Sequence, residues 1–139
     1  MASLKDDELV VALTTVTDKA QKQLASALSY HGLGFSEYLV LRCLQKAPAH
    51  KMRRIDLAQQ LSMSASGITR LLNPMEKTGL IAKEANPRDA RVSLVTLSAS
   101  GARIFAESSV SFAAGATSFL EGLGKQARKD LAGIVTSLT

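Results

Sequence analysis

The sequence predicts a mainly α-helical fold with one small β-wing, and three observations carry that reading. Apolar residues recur at helical spacing over most of the chain. The stretch densest in strand formers, Val92 and Leu94 to Leu97, follows a turn-forming run of Asn86, Pro87 and Asp89. The 139 residues, 46% hydrophobic and 21% charged, are enough for one globular domain with its own core rather than a disordered chain.

Asp6, Asp7 and Glu8 put negative charge where a helix N-terminus favours it. Leu9, Val10, Leu13, Val16, Ala20, Leu24, Ala27 and Leu28 then repeat at helical spacing to about Tyr30. His31 to Gly34 breaks this first helix. Ser36 is a good N-cap for a second, Glu37 to about Lys46, which Ala47 and Pro48 stop. Lys51 to Arg53 reads as a brief strand. Arg54 to Leu61 reads as a third helix with Ile55, Leu57, Ala58 and Leu61 inward.

After Ser62 and Met63, the stretch from Ser64 to Lys77 forms the centre of the chain. As a helix it places Ile68, Leu71, Leu72 and Met75 on one face and Ser66, Arg70, Asn73 and Lys77 on the other. Ser64 can cap its start, and Gly79 can supply the left-handed residue at its end. Two short helices around a tight turn, the second showing small polar and basic groups, make a helix-turn-helix. A two-stranded ribbon follows, Leu80 to Glu84 and Arg91 to Leu97, around the turn Ala85 to Ala90, with Arg88 and Arg91 at its tip.

Ser98 or Ser100 caps a fifth helix from about Ala99 to Phe119, and Gly122 to Gly124 separates it from a sixth, Lys125 to Leu138. Small residues such as Ala102, Ala106, Ala113 and Gly115 alternate in the fifth with Ile104, Phe105, Val110 and Phe112, so partner helices can approach closely. The first and last helices carry more apolar surface than a lobe of short helices can cover. They are expected to meet those of a second copy, with 1–34 and 99–139 as dimerisation helices around a lobe of residues 35–98, all in one domain.

Charge supports an anionic partner. The net charge is +5, and from Lys51 to Arg91 eight Lys or Arg face four acids, so +4 of the excess sits in the helix-turn-helix and ribbon. A helix with a polar face beside an arginine-tipped hairpin suits a grip on a nucleic-acid duplex, one element in a groove and the other beside it. Each piece alone also fits a solvated surface; their order and adjacency favour the duplex.

Other function classes are weak. Two histidines, His31 and His50, and one cysteine give no nucleophile-base or metal-ligand spacing, so neither catalysis, a metal nor a resident cofactor is expected. Cys43 lies in an apolar run and reads as core packing, with a peroxide-sensing thiol as the alternative. The start of the chain lacks signal-peptide regions, and no run of about 18 apolar residues is present, so a cytoplasmic protein without a membrane partner is expected.

The order of helices, ribbon and helices resembles the MarR family of bacterial transcription regulators. The likeness rests on Ile55 to Leu61, Ser64 to Leu72, Met75 to Ile81, and Asn86 to Arg91 leading into Val95 to Ser98, with Asp89 and Arg91 its most specific pair. It implies a winged helix-turn-helix core flanked by N- and C-terminal dimerisation helices. It further implies a homodimer that binds an operator in double-stranded DNA, a repressor by analogy. Carried onto this chain, Ser64, Ala65, Ser66, Thr69, Arg70 and Asn73 become groove-facing positions, Arg91 the minor-groove residue and Asp89 its orienting partner. The chemistry agrees: Arg pairs bidentately with guanine, Asn with adenine, and an Ala or a Thr methyl packs on thymine. Arg53, Arg54, Lys77, Lys83 and Arg88 read as phosphate contacts.

The resemblance also implies an effector, commonly a small aromatic or phenolic anion, between the dimerisation helices and the helix-turn-helix lobe. Tyr30, His31, Phe35, Tyr38 and Arg42 are candidates for it, combining aromatic walls with one cation; packing and surface roles are the alternatives. Two positions depart from the family pattern. Pro74 inside the fourth helix removes an amide and is expected to bend its last turns, changing the reach of Asn73 and Lys77. Ala99 stands where many members carry Pro. The rival reading is a winged-helix module that contacts another protein through the same polar face, its basic residues serving solubility.

Overall fold

The computed structural model describes residues 3–139. Helix α1, Asp6–Ser29, carries three acids in its first turn as expected. Helix α2, Phe35–Lys46, begins earlier than the sequence indicates. Gly34, not Ser36, takes the cap position, and its N–H donates to Glu37 Oε1 at 2.7 Å. Phe35 joins the helix because its ring packs on Phe112, with centroids 6.3 Å apart. A single 3-10 turn, Pro48–His50, leads into strand β1, Lys51–Arg53.

Helix α3, Arg54–Gln60, and helix α4, Ala65–Lys77, form the helix-turn-helix. Strands β2, Ile81–Asn86, and β3, Asp89–Leu97, close on a turn of only Pro87 and Arg88. The ribbon is not two-stranded: β1 pairs with β3 as well, Met52 opposite Val95, giving the antiparallel order β1-β3-β2. Across β3, Lys51 Nζ reaches Glu84 Oε1 at 3.0 Å and ties the two outer strands. Helix α5, Ala99–Phe119, and helix α6, Lys125–Leu138, complete the chain.

The core lies where α2, α3, α4 and the sheet converge. Leu41, Leu44, Leu57, Ile68, Leu72, Met75 and Val95 are buried there, each stabilising the fold by roughly 1.5–3 kcal/mol. Leu57 and Ala58 face inward from α3 as expected, but Ile55 is 58% exposed. With only seven residues, α3 presents a single narrow apolar stripe, and Ile55 falls off it towards the wing.

Helix α5 connects the core to the terminal helices. Tyr38 stacks between Phe112 and Phe105, with centroids 4.3 and 5.4 Å away. At Gly115 an added Cβ would stand 3.2 Å from Leu24 Cδ2, so the missing side chain lets α1 close onto α5. Arg128 of α6 donates to the Leu120 and Leu123 carbonyls and caps the end of α5. Beyond these contacts α1, α5 and α6 keep large apolar side chains in solvent: Leu9, Val10, Leu13, Val16, Val110, Ile134 and Leu138.

Candidate nucleic-acid interface

Helix α4 is fixed at both ends by its own sequence. Ser64 Oγ accepts from the Gly67 N–H at 3.0 Å. At the other end Gly79 takes φ +81°, the Gly79 N–H donates to Glu76 O, and the Leu80 N–H donates to Met75 O, both at 3.0 Å. Ile68, Leu72 and Met75 are buried, which forces Ala65, Ser66, Arg70, Asn73 and Lys77 onto the exposed face. The helix continues through Pro74 to Lys77, and Asn73 and Lys77 stay on that face.

Two of the positions expected to face a groove have work inside the protein. Ser64 Oγ is taken up by its cap. Thr69 is half-buried, and Arg54 Nη1 donates to its Oγ1 at 2.8 Å. Arg54 therefore braces α3 against α4 rather than lying open to a phosphate, and its Nε is buried without a hydrogen-bond partner among the described residues. Nothing in the sequence links residues 54 and 69; only the helix-turn-helix geometry brings them together.

The remaining cations divide into paired and free. Arg53 donates to both Asp56 oxygens, at 2.9 and 3.0 Å, and this bond holds the Asp56 carboxyl below its ordinary range. Lys83 lies 3.3 Å from Glu76. Arg70, Lys77 and Arg88 have no acidic partner among the described residues.

The wing tip is built by two turns, one closed by a side-chain amide and one by a carboxylate. The Arg88 N–H donates to Asn86 Oδ1 at 2.9 Å. Asp89 Oδ1 then accepts from the Arg91 N–H at 3.0 Å and from Arg91 Nε at 3.1 Å, while Arg91 Nη2 donates to Asp89 Oδ2 at 3.3 Å. These bonds hold the Asp89 carboxyl below its usual range, the guanidinium first and the amide second. The Arg91 side chain is nonetheless 90% exposed, aimed by its partner and open to solvent. Between the wing and the start of α4 lies a cleft of about 520 Å³, with Arg53, Arg54 and Arg91 around apolar walls from Ile55, Met63 and Val92. Exposed Ile55 belongs to this cleft.

Of the five candidate effector residues, the structure brings Phe35 and Tyr38 together against Phe112 and does not gather all five. Tyr38 is buried in the aromatic stack, Phe35 packs beside it, and Tyr30 is 92% exposed. His31 Nε2 sits 2.8 Å from Ser111 Oγ and joins the α1–α2 turn to α5. Arg42 lines a separate cleft that none of the other four reaches. Cys43 is half-buried against the core, and burial pushes its thiol up, with Arg42 and Lys46 pulling it back less strongly. Among the described residues no cluster of His, Cys, Asp or Glu is placed to hold a metal ion, and no helix is long and apolar enough to cross a membrane.

Comparison with known proteins bears on this geometry. Residues 35–93 match the model of the MarR family. The HTH-type transcriptional regulator PrsX of Escherichia coli is 28% identical over 83 residues, which cover 60% of this chain and 50% of that protein, so the chain spans about half the length of this relative. Among solved structures, a MarR family regulator from Rhodococcus superposes with a TM-score of 0.88 at 20% identity, over 99% of this chain and 96% of the other. A mutant MarR from Escherichia coli, complexed with operator DNA, superposes with a TM-score of 0.86 at 22% identity, over 94% and 92% of the two chains.

Proposed function

From the match of residues 35–93 to the MarR family model, we propose that the chain is a MarR-type, sequence-specific, double-stranded-DNA-binding transcriptional regulator and not an enzyme. It acts as a homodimer on a pseudo-palindromic operator and represses transcription until a small effector releases it. The observation that carries this reading is the pairing of an unencumbered polar face on α4 with an aimed, exposed Arg91 across one cationic cleft.

In use, Ser66, Arg70 and Asn73 read base edges in the major groove while Ala65 and the Thr69 methyl contact thymine methyls. Arg91 enters the minor groove, where narrow A·T-rich stretches attract a guanidinium. Lys77 and Arg88, free of acidic partners among the described residues, hold phosphates on either side. Two-fold symmetry sets the half-sites about 10–10.5 bp apart. The exposed apolar faces of α1, α5 and α6 support the dimer. Structural likeness to a MarR held on operator DNA supports the docking.

The experiment is selection of bound fragments from random duplex DNA, followed by footprinting. The expected result is an inverted repeat with that spacing and protection on one side of the duplex. Enrichment of no motif would overturn the reading.

A further inference from the structure

Thr69 sits at the rim of the exposed face of α4. Of its neighbours one turn away, Ala65, Ser66 and Asn73 are exposed and Leu72 is buried, and Thr69 itself is half-buried. A threonine inside a helix divides between two rotamers that place the methyl differently, its hydroxyl bonding to a carbonyl of the preceding turn. Thr15, Thr17 and Thr136 make that bond, each donating to the carbonyl four residues back. At Thr69 the partner comes from another helix: Oγ1 accepts from Arg54 Nη1 at 2.8 Å.

Arg54 is a poor stabiliser of the fold. It is half-buried, no acid pairs with it among the described residues, and its Nε is buried without a hydrogen-bond partner. Its Nη1 bond goes to a neutral hydroxyl rather than a carboxylate. What that bond does supply is direction. Held towards α3, the oxygen fixes one rotamer and with it the side on which the methyl stands.

On the operator reading above, we propose that Arg54 is a positioning residue for base reading: through Thr69 it dedicates one groove position to the C5 methyl of a pyrimidine. The hydroxyl is turned into the protein, and Cγ2 meets the base. The methyl is then what is recognised, whichever pyrimidine carries it. C5 methylation of a cytosine at this position is therefore expected to strengthen binding by the same factor as the step from uracil to thymine.

The test takes the operator obtained by selection and measures affinity by fluorescence anisotropy on duplexes altered in one half-site. Each thymine is replaced in turn by 2′-deoxyuridine. One replacement is expected to weaken the unaltered chain about fourfold, the worth of one buried methyl, and to leave Thr69→Ser, which lacks that methyl, indifferent. At the same position 5-methylcytosine should bind about fourfold better than cytosine, both opposite guanine. Arg54→Met frees the second rotamer and should cut the factor to about two or below. Combined with Thr69→Val it should return to about four, because valine offers a methyl in either rotamer. A brace or a phosphate contact at Arg54 would instead weaken both duplexes alike and keep the factor at four. A factor kept in Arg54→Met, or not restored by valine, overturns the positioning role; thymines equally sensitive in the unaltered chain and Thr69→Ser overturn the methyl assignment. Should Arg54→Met fail to fold by circular dichroism, three-bond NMR couplings to Thr69 Cγ2 in the unaltered chain decide: single-rotamer values are expected, and averaged values overturn the proposal. Enrichment of no motif removes the operator reading itself, whereas an enriched motif with unchanged methyl factors removes only the role of Arg54.

Discussion

Arg91 owes its position to Asp89, since two side-chain bonds and one backbone bond hold the guanidinium in one direction while leaving it in solvent. Arg91→Ala therefore removes the proposed, pre-aimed groove contact without touching the core. Operator affinity by fluorescence anisotropy should fall roughly ten- to a hundredfold while the melting temperature stays put. The same pair sets a pH dependence. Because the Asp89 carboxyl is held below its ordinary range in the folded wing, its contribution is fully present above that range and is lost as pH falls through the folded value. An NMR titration should show the Asp89 carboxyl moving back up in Arg91→Ala, and an unchanged titration would mean that the pair does not form. Arg91 is legible as a cation at the tip of a turn and its partnership with Asp89 through the family resemblance, and Ser66, Arg70, Asn73 and Lys77 are legible from helical period alone. Arg54 is not: it reads as one more surface cation until the fold sets it against Thr69 fifteen residues away.

At the scale of elements, the joint between wing and α5 is tighter than any sequence pattern announces. The Leu80 carbonyl accepts from the Ser98 N–H at 3.2 Å and from Ser98 Oγ at 2.9 Å, and Ser98 Oγ in turn accepts from the Gly101 N–H at 2.9 Å. A Cβ at residue 101 would collide with that same Leu80 oxygen. The oxygen is backbone and already tied, so it has no room to retreat. Gly101→Ala should destabilise the protein by roughly 1–3 kcal/mol in urea unfolding, the usual cost of overpacking; a change below about 0.5 kcal/mol would show that the joint is loose. The helices themselves are readable because capping residues and apolar period agree, as at Ser64 and Gly79. The three-residue strand β1 is readable as a strand but not as a partner of β3, since pairing at that separation depends on where α3 and α4 carry the chain. Ile55 is misplaced by the sequence for a related reason: so short a helix carries too little period to fix a face.

For the whole molecule, the surplus of apolar side chains on α1, α5 and α6 is visible in the sequence, and the chain as folded does not cover it. In the proposed dimer two wings and two recognition helices face one duplex, and the number of free cations predicts how salt acts on it. Arg53 and Lys83 are occupied by Asp56 and Glu76, leaving Lys77 and Arg88 as the unpaired phosphate-facing cations of each helix-turn-helix and wing among the described residues, or about four in the proposed dimer. Each phosphate neutralised releases condensed counterions, so log K against log salt should fall with a slope of about −4. Replacing Arg88 by Gln removes one contact from each copy and should flatten the slope by about 2, with sequence preference retained, because a phosphate contact carries register and not base identity. Arg53→Gln, by contrast, should leave the slope nearly unchanged, as its charge is already spent on Asp56. A slope close to zero in the unaltered chain would turn the polar face of α4 into a protein-docking surface, the rival that composition alone does not separate from DNA reading.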